Sequence, residues 1–219
     1  MKKKAKRSSR RASSHPQHVV QVLAGWWARP DADRIVQWNT SKYREQVVLL
    51  WRENLRDSEK TIETLLSALA LEQDQLSAEY ERLFVGPTAI PCPPYEAVWR
   101  TDRPKHEQGT VMGNSTLQLK QLYSNLGLQL RPDQTELADH IAVELEALAY
   151  AWCIGDSEQA NCLIGHLQDW LPAFCESVLA NSRAEFYRNL AEITLIYSAR
   201  AENRKTRPDT LCGDACREP

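Results

Sequence analysis

Glycine is scarce in this chain, with eight in 219 residues. A glycine-rich phosphate loop or a many-hairpin β fold needs more, because glycine supplies the left-handed positions of tight turns. Neither G-x-G-x-x-G nor G-x-x-x-x-G-K-[ST] occurs. No apolar run approaches the roughly 18–20 residues that cross a bilayer, so no integral membrane segment is expected. None of the five histidines has a glutamate three residues before it: Leu137 precedes His140 at that spacing, and Leu163 precedes His166. Without Glu-x-x-His pairs or H-E-x-x-H, neither a di-metal carboxylate bundle nor a zincin is expected. G-x-S-x-G is also missing. Nothing asks for catalysis, so no catalytic residue, no metal and no cofactor is assigned. Cys212 and Cys216 are spaced for neither a zinc knuckle nor a redox C-x-x-C.

What is present is unevenly charged. Residues 1–11 hold seven of the 27 basic residues and no acid, leaving 20 basic against 29 acidic over residues 12–219, a net of −9. An acidic body favours a cationic partner over nucleic acid. Arg10-Arg11 ahead of Val19–Gly25 loosely imitates an export signal, but Gln21 interrupts the apolar part and no A-x-A-like site follows. Residues 1–14 are therefore read as a disordered basic arm, residues 15–200 as one helical domain and residues 201–219 as a flexible polar tail. Without an export signal the compartment expected is the cytoplasm, and the six cysteines are expected to be free thiols.

Helical periodicity recurs along the chain with almost no strand signal. Val19, Val20, Leu23, Trp26 and Trp27 pattern a first helix closed near Pro30, and Asp31 caps a second running to Trp38. Tyr43, Val47, Leu50 and Trp51 mark a third, and Ile62, Leu65, Leu66 and Leu69 a fourth. Leu76, Tyr80, Leu83 and Phe84 mark a fifth, which Gly86-Pro87 stops. Residues 86–99 then carry four of the eleven prolines and read as a stiff extended crossing. Asn114 is expected to cap the next helix, which ends at Gly127. Asp156 with Gln159 caps another, Pro172 breaks it, and Ser182-x-x-Glu185 forms a capping box for the last. The fold class predicted is all-α: a single domain of roughly eight to ten helices with one long proline-rich crossing.

One stretch, Glu136–Tyr150, carries more than a core helix needs. Pro132-Asp133 is expected to open it, and Leu137, Ile141, Leu145 and Leu148 give one buried stripe. At helical spacing Glu136, His140 and Glu144 share a face, beside Asp139. A solvated acidic face with an ordinary histidine is the plainer interpretation of the same residues.

Three blocks read together decide between them. Tyr80-x-x-Leu83-Phe84-Val85-Gly86-Pro87 runs into Pro93-Pro94-Tyr95-Glu96-Ala97-Val98-Trp99. Val111-Met112-Gly113-Asn114-Ser115-Thr116 follows, then Glu136-x-x-Asp139-His140-Ile141-Ala142-x-Glu144. His166-Leu167-x-x-Trp170-x-Pro172-x-Phe174 and Phe186-Tyr187-x-x-Leu190 fit as well. Over about residues 17–198 the chain resembles the TorD/DmsD family of cytoplasmic chaperones for molybdoenzymes of the dimethyl sulfoxide reductase type. Leu137 and Ala138 stand where many members have a proline inside the E-x-x-D-H block, and Ala97 where a serine is common; these departures bear on partner choice.

The resemblance implies an all-helical, non-enzymatic protein that binds the twin-arginine signal peptide of a reductase catalytic subunit before export, as a monomer or a helix-exchanged dimer. It implies peptide recognition at Tyr80, Leu83, Phe84, Tyr95, Trp99, Gly113, Asp139 and His140. The chemistry agrees. Two guanidinium groups want carboxylates in fork geometry, which Glu96, Glu136, Asp139 and Glu144 can offer, and an apolar stretch wants a groove that Leu83, Phe84, Tyr95 and Trp99 can line. A helical adaptor for other amphipathic or basic helices is the alternative.

Overall fold

The computed structural model describes residues 16–55, 58–87, 89–101, 113–130 and 136–204, with side chains to residue 200. Among them the chain forms helices α1 (Pro16–Trp27), α2 (Ala32–Trp38), α3 (Ser41–Asn54), α4 (Glu59–Leu71), α5 (Leu76–Tyr80), α6 (Glu96–Trp99), α7 (Asn114–Asn125), α8 (Ile141–Cys153), α9 (Ser157–Asn181) and α10 (Glu185–Arg204). No strand occurs among the described residues, and the all-α expectation is met. No helix among them is long and apolar enough to cross a membrane. The expected arm, most of the tail and Pro132-Asp133 lie outside the described residues.

Helix α8 is the centre. Ile141–Leu145, Ala147–Ala149 and Ala151 are all buried, as suits a helix apolar nearly all round. Its main neighbours are α1 and α9; α10 packs on α9 and α4, and α6 lies on α9. Tryptophans fill the interior. Trp26 meets Trp51 at 5.6 Å between ring centroids and Phe186 edge-on at 6.3 Å, while Trp27 meets Phe174 at 5.1 Å and donates its indole N–H to Thr194 Oγ1 at 3.0 Å.

Local signals hold at several ends. Asp31 accepts from the Arg34 N–H at 2.8 Å and Asp156 from the Gln159 N–H at 3.0 Å, both true N-caps. Gly127, at φ 74°, follows α7 in the left-handed conformation that closes helices. After α5 the backbone widens into a single π turn, Glu81–Val85, which Gly86 ends at φ 51°.

Five expectations are corrected. Asn114 is the first residue of α7 and Gly113 its cap. Pro172 sits inside α9 rather than between two helices: burial of Trp170, Leu171, Phe174 and Cys175 on both flanking turns outweighs the roughly 3 kcal/mol cost of an interior proline. Ser182 does not box with Glu185. Its hydroxyl turns to the Ala184 backbone, and Glu72, at the end of α4, accepts from the N–H groups of Glu185 and Phe186, each at 3.0 Å. Cys92, Cys162 and Cys175 are free thiols, but Cys153 is disulfide-bonded, because pairing follows proximity that spacing does not reveal. The fifth correction moves the start of α8.

Candidate functional site

Helix α8 begins at Ile141, not at Glu136. The backbone on either side of His140 is already engaged: the Glu96 N–H donates to the Asp139 carbonyl at 2.9 Å, and the Ile141 N–H donates to the Pro94 carbonyl at 3.0 Å. These bonds make a one-residue antiparallel bridge between Tyr95 and His140. Groups that a longer helix would pair internally are spent on the proline-rich crossing instead. His140, at φ −76° and ψ 136°, becomes the N-cap, and its Nδ1 accepts from the Ala142 N–H at 3.2 Å. Glu136, His140 and Glu144 therefore do not share a helix face. Leu137 drops out of the buried stripe and is only half-buried, while Ile141, Leu145 and Leu148 keep it.

The bridge draws five elements together. Asp139 Oδ2 accepts from the Ala97 N–H at 3.2 Å, and the Thr116 hydroxyl, in the first turn of α7, lies against the same carboxyl. Gly113 anchors that turn by donating its N–H to Thr116 Oγ1 at 3.2 Å. Tyr123 donates its phenol to the Ala138 carbonyl at 2.7 Å. Glu96 faces α9, where His166 Nδ1 stands 2.9 Å from Oε1, and Arg100, one turn on, reaches the same oxygen at 2.6 Å. The other arm of Arg100 meets Asp169 Oδ2 at 3.0 Å.

Glu96, Asp139 and Glu144 are each 0% exposed, and His140 is 1%. Three carboxyls buried near one another cannot all stay charged without partners. Burial raises the Glu144 carboxyl well above the ordinary carboxylate range, and the neighbouring Glu96 and Asp139 add to the effect. Burial likewise raises Asp139. His140 is held neutral, its pKa lowered from 6.5 to about 4 by burial. With Nδ1 accepting, the neutral ring carries its proton on Nε2, which lies 3.8 Å from Glu136 Oε2 and has no hydrogen-bond partner. Asp139 Oδ1 and both Glu144 oxygens also lack partners; the Trp170 indole N–H lies beside Glu144 without completing a bond. Such groups cost about 1–3 kcal/mol each when buried, which marks the cluster as more than packing. Among the described residues no group of three or more His, Cys, Asp or Glu is placed to hold a metal ion.

The sequence-predicted residues divide into floor, rim and support. Glu96, Asp139, His140 and Glu144 form the buried floor. Tyr95, Trp99, Gly113 and Glu136 are half-buried around it, with the Tyr95 phenol donating to Glu136 at 2.9 Å and its ring edge-on to His140 at 5.3 Å. Tyr80, Leu83 and Phe84 are at most 2% exposed, so Leu83 and Phe84 do not line a groove. The π turn aims Phe84 at the core, 5.0 Å from Tyr80 and 6.1 Å from Phe174, which in turn meets Trp99 at 6.0 Å. Spacing did not single out Arg100, His166, Asp169 and Thr116 for this cluster. The Glu96–Arg100 interval of four is the one local signal for them, and His166 joins from 70 positions away. An open cavity of about 490 Å³ lies elsewhere, between α3 and α4 over Val48, Leu49 and Leu66. The cluster remains the stronger candidate, because unpartnered buried polar atoms are costly and an open apolar groove is not.

Residues 51–176 match the family profile described as nitrate reductase delta subunit. The Tat proofreading chaperone DmsD of Salmonella typhi is 32% identical over 124 residues, 55% of this chain and 57% of that protein. The match thus spans little more than half of that relative's length. The chaperone protein TorD of Shewanella pealeana is 27% identical over 186 residues, 80% of this chain and 83% of the relative. A candidate redox enzyme maturation protein from Archaeoglobus fulgidus shares the fold, with a TM-score of 0.52 at 24% identity over 85% of this chain and 93% of its own. The chain belongs to the nitrate reductase delta subunit family, and its relatives named DmsD and TorD carry the names of chaperones, not enzymes, in keeping with the blocks it resembles.

Proposed function

We propose that the chain is a cytoplasmic maturation chaperone that binds the twin-arginine signal peptide of a dimethyl sulfoxide reductase-type molybdoenzyme subunit. The observation that carries this reading is the set of unpartnered buried oxygens, Asp139 Oδ1 and both of Glu144, beside a carboxylate pair that already grips a guanidinium. Carboxyl oxygens left without donors suit a ligand that brings planar, multiply donating cations. The net of −9 over residues 12–219 draws a basic peptide in, more weakly as salt rises.

Entry requires the rim to part. Tyr95, Glu136 and Trp99 rim the floor, and α6 is a single turn, so local opening there costs less than global unfolding. As a guanidinium approaches, the neutral Glu144 carboxyl gives up its proton and accepts instead. Binding then releases a proton. Trp99 and Tyr95 receive the start of the apolar stretch, backed by Phe174 and Phe84.

Calorimetric titration with an Arg-Arg signal peptide and its Lys-Lys counterpart tests the proposal. A clear preference for the arginine peptide, with proton release, supports it; equal binding of both, or of neither, sinks it.

The α3–α4 groove favours a second reading, an adaptor for an amphipathic helix, since Leu49 is 55% exposed and Arg44, Arg52, Glu45 and Glu63 flank the groove. Peptide binding that ignores paired arginines and is abolished by Leu49→Asp decides for that reading.

A further inference from the structure

We propose that Arg100 is a resident competitor for the peptide's guanidinium and thereby holds the peptide's affinity down; this rests on the peptide-binding reading above. Arg100 follows α6 directly, and its side chain is only 15% exposed. Nη1 donates to Glu96 Oε1 at 2.6 Å, and Nη2 contacts Asp169 Oδ2 at 3.0 Å. One planar fork thus bridges two carboxylates from different elements, the geometry an incoming arginine would use. Its charge also reaches the Glu144 carboxyl.

An arginine that replaces Arg100 recovers both contacts, so the exchange is nearly even and the apolar stretch decides the affinity. A lysine offers a compact ammonium that cannot span the two carboxylates in fork geometry, so it displaces Arg100 only at a loss. The incumbent lowers the affinity of both peptides alike, and the carboxylates decide between them. Arg100 can leave without unwinding a long helix: its backbone is already extended, at φ −66° and ψ 130°, where α6 ends.

The test uses the full chain, calorimetry, and the same Arg-Arg and Lys-Lys peptides against wild type, Arg100→Gln and Arg100→Lys. Arg100→Gln is expected to tighten both peptides about tenfold and to leave the Arg-Arg to Lys-Lys ratio unchanged, with Arg100→Lys between. Unchanged or weaker binding of the arginine peptide overturns the competitor role. If Arg100→Gln loses its helical circular dichroism, Arg100→Lys alone decides, and wild-type affinity there overturns the idea. Failure of wild type to prefer the arginine peptide would instead remove the peptide-binding reading itself, which separates the two outcomes.

Discussion

Tyr95 and His140 face each other across a one-residue antiparallel bridge, ring centroids 5.3 Å apart and edge-on. The bridge ties the proline-rich crossing to the mouth of α8, and the Tyr95 phenol extends it to Glu136. Tyr95→Phe keeps the ring and loses the hydrogen bond, so it should cost about 1 kcal/mol in urea unfolding. Tyr95→Ala should cost roughly two to three times as much, because the aromatic contact goes too.

His140 makes stability depend on pH in a defined window. Its pKa is about 4 when folded and 6.5 when free, so between those values the unfolded chain binds the extra proton. Stability attributable to His140 is full above 6.5 and falls as pH is lowered toward 4, by on the order of 2–3 kcal/mol. His140→Asn retains a capping acceptor and removes the titration. The urea midpoint of the variant should therefore fall less than that of wild type between pH 7 and pH 4.5.

Glu144 and Glu96 should respond in opposite ways to the same change. Burial keeps the Glu144 proton on, so its contribution is present at low pH and lost as pH rises through its raised pKa. Glu144→Gln should leave stability at pH 7 unchanged or improved and remove that loss. Glu96→Gln weakens the contacts to Arg100 and His166 in a fully buried place and should cost about 3 kcal/mol or more. Thermal unfolding of both variants across pH 6–9 checks the pair.

Glu72 should matter more to α10 than the residues of the helix's own first turn. Glu72→Ala removes the acceptor of two backbone N–H groups and should cost about 1–2 kcal/mol. Glu185→Ala should cost under about 0.5 kcal/mol in the same chemical denaturation series.

The contrast between Glu72 and Ser182 shows what was legible beforehand. Periodicity gave the helices, because burying one stripe every 3.6 residues is a local demand, and it placed Val19, Ile62, Leu145 and Leu148 in the core where they lie. Asp31 and Asp156 were legible as caps for the same reason. The start of α8 was not: Pro94 and Glu96 claim the backbone around His140 from some forty residues away. Pro172 misled because burial of its neighbours outvotes its own preference. In the cluster, resemblance pointed to Asp139 and His140 and charge to Glu96, but the pairing of Glu96 with Arg100 and His166, and of Arg100 with Asp169, needed the crossing of α6 over α9.

One substitution isolates the proposed reading of a guanidinium by Asp139. Asp139→Asn keeps the shape and an acceptor for the Ala97 N–H but can no longer take on charge. The measurement is calorimetric affinity for the Arg-Arg peptide alongside the helical circular dichroism spectrum. Affinity should fall roughly tenfold or more with the spectrum unchanged, as expected when a charge-assisted bond becomes a neutral one. Undiminished affinity, or loss of affinity only together with loss of helix, would contradict the account.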